Sequence, residues 1–417
     1  MKNNVKKIIK KILPYKWYIS IKCIHQSVIE KMYNFYVRIY LRKRSKEKKD
    51  GCILFVCQFQ SIWNKSEGVF LELKKINANA KILVVPDKKY FGEESSVFDN
   101  YKDDVIYYYK GCLQRLNPSL VLYSRPYDIL LPEDLRSYNV IKRFKTGFIP
   151  YYYSLETNYD FSIGPAFSRN IILFFADQDA TKMYFENHFR KNIKLGLQRV
   201  YSIGYPSLEA VIQRLNAKSC VKSIYKNKNR IHVMWTPRWT MDEKVGGSNF
   251  LKYYKQIFQL MNGNEHFSFV FRPHPMLFEF FISHGYLSKS EYQEIMTLFE
   301  KSTNMSYDKS GEYLDTFIDT DILISDNSSI IVEYLLTGKP MIYCYNDSSF
   351  IFNDIMKQIL ECNYVANDWK EVLDYLQLLC NGTDSKATTR STLCKKMYEQ
   401  NQGACQRIAK TIVDDIS

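Results

Sequence analysis

The chain has 417 residues, 46% of them hydrophobic and 24% charged, with a formal net charge of +14. That much apolar residue can fill two cores, which excludes a disordered or fibrous chain. Residues 1–50 hold 15 Lys or Arg against three acidic residues, a balance of +12 that leaves only +2 for the remainder. A nucleic-acid binder spreads its basic residues across the binding face, so no nucleic-acid partner is expected.

Residues 1–50 read as a basic amphipathic extension. Val5, Ile8, Ile9, Ile12 and Leu13 follow one helix face, and Lys6, Lys7, Lys10 and Lys11 take the other. After Pro14 a second periodic stretch includes Trp17, Ile21, Ile24, Val28, Phe35 and Ile39, ending in Arg42-Lys43-Arg44-Ser45-Lys46. Basic amphipathic helices with aromatic residues lie in the interface of anionic membranes. A solvated helix that packs on its own domain and a disordered basic arm are the other readings of this pattern. No run of 18 uncharged apolar residues is present, so no membrane-spanning helix is expected, and no signal-peptide pattern is seen.

Residues 51–205 are expected to form a first α/β domain. Strands are predicted at Cys52–Phe59, Ile82–Pro86, Val105–Tyr109, Leu120–Ser124 and Ile172–Ala176, with helical patterns between them. Such alternation favours a parallel sheet. Gln60 to Gly68 is the first strand-to-helix loop, and Thr146 to Glu156 opens another. No G-x-G-x-x-G follows a strand and no G-x-x-x-x-G-K-[ST] occurs, so dinucleotide and P-loop readings have no support. The ten cysteines contain no C-x-x-C and the six histidines no ligand cluster. No metal and no cofactor are expected, and free thiols fit a reducing cytoplasm.

The domain break is predicted between Gly204 and Lys228, with a second α/β domain over 206–417 that is helical from about Val365. Ile231 to Trp235 starts its sheet. Phe267 to Pro275, FSFVFRPHP, is a strand whose end carries Arg272 and His274. Asp319 to Asp347 gives a strand (Ile322–Ile324), a polar loop, a helix ending near Gly338, and a strand (Met341–Tyr345). The loop places Asp326, Asn327, Ser328 and Ser329 where unpaired backbone N–H groups face outward, an arrangement that suits a diphosphate. The same residue types are also ordinary helix caps. Ligands bind beyond the carboxyl ends of strands in open α/β sheets, so both segments deliver polar groups to one rim.

FRPHP, SDNSS with a following Glu and GKP, and the step Tyr345-Asn346-Asp347 together resemble the CDP-glycerol glycerophosphotransferase family of teichoic acid and capsular polymer enzymes. Gly204-Tyr205-Pro206 and His232 to Thr240, HVMWTPRWT, are similar to two further landmarks of that family. The resemblance implies a GT-B type fold of two Rossmann-like domains facing a cleft, with the nucleotide donor on the second. It implies a membrane-associated transferase that moves an alditol phosphate from a CDP-alditol, above all CDP-glycerol, to a glycan, teichoic acid or lipid-linked polymer, with release of CMP. The place would be the cytoplasmic face of the membrane. Arg272 and His274 would be catalytic, Asp326, Asn327, Ser328 and Ser329 would hold the diphosphate, and Glu333 and Arg238 would contact ribose or alditol.

Two departures accompany the resemblance. The family's Trp-His-Gly type motif has no counterpart, since the nearest stretch, Gly147 to Ser154, lacks a His; Glu156 is the candidate acceptor base. The family's Pro-Thr-Trp-Arg order is replaced here by Pro237-Arg238-Trp239-Thr240. A GT-B glycosyltransferase using a nucleotide sugar is the second reading, and a non-catalytic scaffold with a dead nucleotide site the third.

Overall fold

The computed structural model describes residues 31–48, 50–58, 62–85, 96–217, 222–242, 247–310, 313–346 and 351–417. The apolar stripe Val5–Leu13 and Asp347 lie outside them. The first domain holds seven strands: β1 (Ile53–Cys57), β2 (Ala80–Val84), β3 (Val105–Tyr107), β4 (Leu120–Tyr123), β5 (Lys145–Phe148), β6 (Leu173–Phe175) and β7 (Arg199–Tyr201). They pair in parallel in the order β3-β2-β1-β4-β5-β6-β7. The second domain repeats the plan with β8 (Ile231–Thr236), β9 (Phe267–Phe271), β10 (Met305–Tyr307), β11 (Ile322–Ser325), β12 (Met341–Cys344) and β13 (Tyr364–Ala366). Their order is β10-β9-β8-β11-β12-β13, again all parallel.

Strands covered by helices on both faces are apolar at every position, not at alternate ones. In β1, Ile53, Phe55 and Cys57 enter one core while Leu54 and Val56 enter the other. In β8, Val233 and Trp235 face one side and Met234 the opposite side. Those runs are the strands that sequence reading finds. It misses β5, β7, β10 and β13, each of three or four residues. β5 carries Lys145, which is buried against Asp415 at 3.0 Å. Its pairing with a residue 270 positions away is invisible locally.

Six of the helices among the described residues bear on the argument below: α1 (residues 31–44), α2 (Asn64–Lys75), α3 (Pro206–Asn216), α4 (Ile330–Leu335), α5 (Ala387–Asn401) and α6 (Ala404–Ile416). α1 lays Val37 and Leu41 into the first core and leaves Met32, Phe35, Tyr36 and Ile39 exposed. α6 also returns to the first core, where Cys405, Ile408, Ala409 and Ile412 are buried. Burial of side chains such as the two isoleucines contributes about 1.5–3 kcal/mol each. Residues 404–416 thus pack with the first domain, although the expected division assigned everything after 205 to the second. The return is tight at Gly204 (φ +100°), where a Cβ would lie 2.6 Å from Ala404 Cβ. Glu209 of α3 accepts from the Gly403 and Cys405 amides at 3.0 and 2.5 Å, so a carboxylate caps the start of α6.

A short antiparallel bridge also joins the domains. Glu156 pairs with Phe352, the Thr157 amide donates to Ile351 O at 3.0 Å, and the Asn353 amide donates to Leu155 O at 3.0 Å. The loop after β5 is thereby held against the second domain's rim.

Candidate active site

In the second sheet the strand order reverses between β8 and β11, the point at which an open α/β sheet offers a crevice. The two strand ends are tied by Thr236 Oγ1 donating to Ser325 Oγ at 2.8 Å. Arg238 leaves β8 and the turn 326–329 leaves β11 at this crevice.

Asp326 organises it from beneath. Its carboxylate is buried and accepts the Arg238 amide at 2.8 Å and the Asn249 amide at 3.0 Å. Burial pushes its pKa up to about 6 against those two bonds and the Arg238 charge. Asp326 is therefore turned inward onto those amides and fixes the two loops relative to each other.

Arg238 and Asn327 form the floor. Arg238 Nη1 donates to Asn327 O at 2.6 Å. Burial lowers the Arg238 pKa, and the carboxylates of Asp326 and Glu156 oppose that loss. Arg238 Nε and Asn327 Nδ2 are both buried, and neither has a hydrogen-bond partner among the described residues. Such orphaned donors are costly unless something accepts from them, and native proteins leave few such groups. An anion with several oxygens is the kind of ligand that accepts from such donors. Ser328 and Ser329 follow at half-buried positions. Ser329 stands at the N-cap of α4 without a side-chain capping bond, so the simple capping role does not apply to it.

His274 joins from β9. Its amide donates to Pro237 O at 3.1 Å, which sets it beside the Arg238 loop, and its ring lies 5.9 Å from that of Trp239. His274 is partly open to solvent, yet loss of surrounding water and the Arg238 charge push its pKa down to about 4. The ring is neutral near pH 7. Nδ1 accepts the Met276 amide at 3.2 Å, which leaves the proton on Nε2 as a donor.

Arg272, predicted to meet phosphate, is engaged by other residues of the second domain. Its guanidinium donates to Asp308 Oδ2 at 2.6 Å and to Ser310 O at 3.0 Å, and lies 4.6 Å from the Tyr313 ring centroid. Glu333, read as a ribose or alditol ligand, is buried and bound to Lys65 Nζ at 2.6 Å. Neither pairing has a local sequence signal, since the partners lie 36 and 268 residues away.

Glu156 faces this floor from the first domain. It accepts from Ser162 Oγ at 2.8 Å, and burial raises its pKa against Ser162 and the Arg238 charge. A carboxylate within electrostatic reach of Arg238 thus overhangs the crevice. Arg125 is a residue that sequence reading passed over. Its guanidinium lies 5.0 Å from the Tyr127 ring and 5.9 Å from the Tyr151 ring, on the first-domain rim.

A family model described as CDP-glycerol:poly(glycerophosphate) glycerophosphotransferase matches residues 178–414, more than half of the chain. The chain belongs to that family. It is accordingly a CDP-glycerol-dependent transferase by family, and the resemblance read from FRPHP and SDNSS is borne out. No curated protein sequence matches the chain. Among solved structures, the wall teichoic acid polymerase TagF aligns over 97% of this chain and 98% of its own, at 13% identity and a TM-score of 0.57. A UDP-GlcNAc 2-epimerase from Neisseria meningitidis bound to UDP-GlcNAc aligns over 87% of this chain and 100% of its own, at 15% identity and a TM-score of 0.55. The S. aureus MnaA–UDP complex aligns over 88% and 98%, at 12% identity and a TM-score of 0.58. At such identities the likeness is one of fold, and it bears out the GT-B architecture of this glycerophosphotransferase-family chain.

Proposed function

We propose that this enzyme transfers glycerol phosphate from CDP-glycerol to a hydroxyl of a cell-surface polymer and releases CMP. The observation that carries the reading is the pair of orphaned donors, Arg238 Nε and Asn327 Nδ2, at the reversal point of the second sheet. They and the hydroxyls of Ser328 and Ser329 hold the diphosphate. The acceptor oxygen attacks the phosphorus that bears glycerol; a new P–O bond forms there, and the P–O bond to the bridging oxygen breaks. CMP leaves with that electron pair, and the acceptor proton passes to Glu156. Burial makes Glu156 a stronger base than an exposed carboxylate. Arg238 neutralises charge on the phosphate oxygens, while His274 contributes a neutral Nε2–H donor.

The acceptor is polymer-linked and met at an anionic membrane surface. α1 supports this part: Met32, Phe35, Tyr36 and Ile39 follow helical spacing on its exposed side, with Lys31, Arg42 and Lys43 also exposed. Residues 31–46 contain no Asp or Glu. Such a face lies in an anionic interface without spanning it, and no described helix is long and apolar enough to cross a membrane.

The test is purified full-length protein offered CDP-glycerol, CDP-ribitol, UDP-sugars and CMP-sugars, scored for nucleotide release and product mass. CMP release with addition of a glycerol phosphate unit is expected. Release of UDP with addition of a sugar would replace this reading by that of a glycosyltransferase.

A further inference from the structure

A buried ion pair joins the two domains behind the donor turn, and no motif announces it. Lys65 lies at the start of α2 in the first domain. Its Nζ donates to Glu333 Oε1 at 2.6 Å, to Tyr313 OH at 2.6 Å and to Ser207 Oγ at 2.8 Å. All three ammonium protons are used. Ser207 Oγ donates onward to Glu333 Oε1 at 2.5 Å, and Tyr313 OH donates to Glu333 Oε2. The two hydroxyls therefore relay between cation and carboxylate in a closed, fully satisfied network. The Lys65 side chain is 15% exposed and that of Glu333 only 7%. Burial works against the ammonium charge, but Glu333 and Tyr313 outweigh it and hold Lys65 above the ordinary lysine range.

The location gives the network more than a packing role. Glu333 stands one turn into α4, the helix that follows Ser328 and Ser329. The Tyr313 ring lies 5.2 Å from Lys65 Nζ and 4.6 Å from the Arg272 guanidinium. The helix that carries the donor turn and the ring that supports Arg272 are thus both fastened by one cation from the opposite domain. Opening of the cleft breaks three charge-assisted bonds at once.

We propose that Lys65 is a positioning residue for the transfer: it locks the first domain to Glu333 and so aligns the donor turn with the attacking hydroxyl. The assignment rests on the donor reading given above. Loss of the lock leaves a donor site intact on the second domain but misaligned with the first. Misplacement by about 1 Å is enough to slow a positioned reaction about a hundredfold.

The experiment compares full-length parent, Lys65→Met, Glu333→Gln and the double variant. The readouts are kcat and KM for CDP-glycerol, CDP-glycerol affinity by calorimetry, melting temperature, and small-angle scattering. Lys65→Met leaves Glu333 buried without its cation, so its melting temperature should fall by several degrees. Its kcat should fall about a hundredfold, its donor Kd should change by less than about threefold, and its radius of gyration should increase. The double variant removes both charges and should regain melting temperature while kcat stays low and the molecule stays expanded; it carries the test if Lys65→Met does not fold. Recovery of kcat together with melting temperature would show a merely structural pair and overturn the proposal. So would a loss confined to donor affinity. A parent that releases no CMP from CDP-glycerol would fail the donor reading instead, and unchanged scattering of the double variant would still overturn the lock.

Discussion

Between β8 and β11 the second sheet opens onto Arg238, Asn327 and two serines, whereas the matching gap between β1 and β4 of the first sheet opens onto Trp63, Ser124 and Arg125. Tyr127 and Tyr151 stand beside Arg125, with their hydroxyls 3.2 Å apart. The two sheets share one strand order at their centres, so topology alone delivers both rims. Their chemistry diverges because the few residues after each strand differ. Both rims hold a buried N–H without an acceptor among the described residues, Arg238 Nε and Asn327 Nδ2 on one and Trp63 Nε1 on the other; the first-domain rim adds aromatic faces and, from the loop after β5, the carboxylate of Glu156. On the proposed function, the second-domain rim would hold the nucleotide donor and the first-domain rim would meet the acceptor.

The sharpest way to break that contrast is Arg238→Ala. It removes an orphaned donor and the buried cation together, and turnover should fall about a thousandfold with weaker CDP-glycerol binding, measured by CMP release and calorimetry. Normal turnover in this variant would move the diphosphate elsewhere.

Glu156→Gln tests the opposite rim. Turnover should drop about a hundredfold or more while donor affinity holds. The parent rate should rise with pH through a pKa above the usual carboxylate range, because the base works when ionised and burial raises its pKa. That limb should vanish in the variant. His274, held at about 4, should add no limb near pH 6.5.

A smaller effect comes from Asp326→Asn. The folded state favours protonated Asp326, with a pKa of about 6 against about 3.9 when unfolded. The associated stability is complete below the lower value and lost as pH rises through the upper one. Between pH 4 and 7 the parent should lose on the order of 3 kcal/mol from this group that the variant does not. Denaturant titrations of both proteins at the two pH values would measure the difference.

The least effect on chemistry is expected from Phe35→Ser/Ile39→Ser on α1. Sedimentation with anionic vesicles should weaken, and CMP release with a short soluble acceptor should stay at the parent level.

Legibility in the sequence followed range. The apolar runs of β1, β4, β8, β9, β11 and β12 are local and could be read. Arg272 and Glu333 read as ligands because their neighbours in sequence are candidate site residues; their ion-pair partners in the structure, Asp308 and Lys65, come from distant segments. Asp326 looked like part of an anion cradle, but only the fold shows its carboxylate turned onto the amides of Arg238 and Asn249. The return of α6 to the first core was equally hidden, since its apolar face fits either domain. Arg238 is the reverse case. A shifted motif made its role uncertain, and the structure puts it at the centre of the crevice.

The measurement closest to the central claim is a crystal structure with CDP-glycerol bound. The account predicts diphosphate oxygens within hydrogen-bond reach of Arg238 Nε and Asn327 Nδ2, with the glycerol-bearing phosphorus open toward Glu156. A diphosphate seated at the β1–β4 gap of the first domain, with those two donors still unpaired, would contradict it.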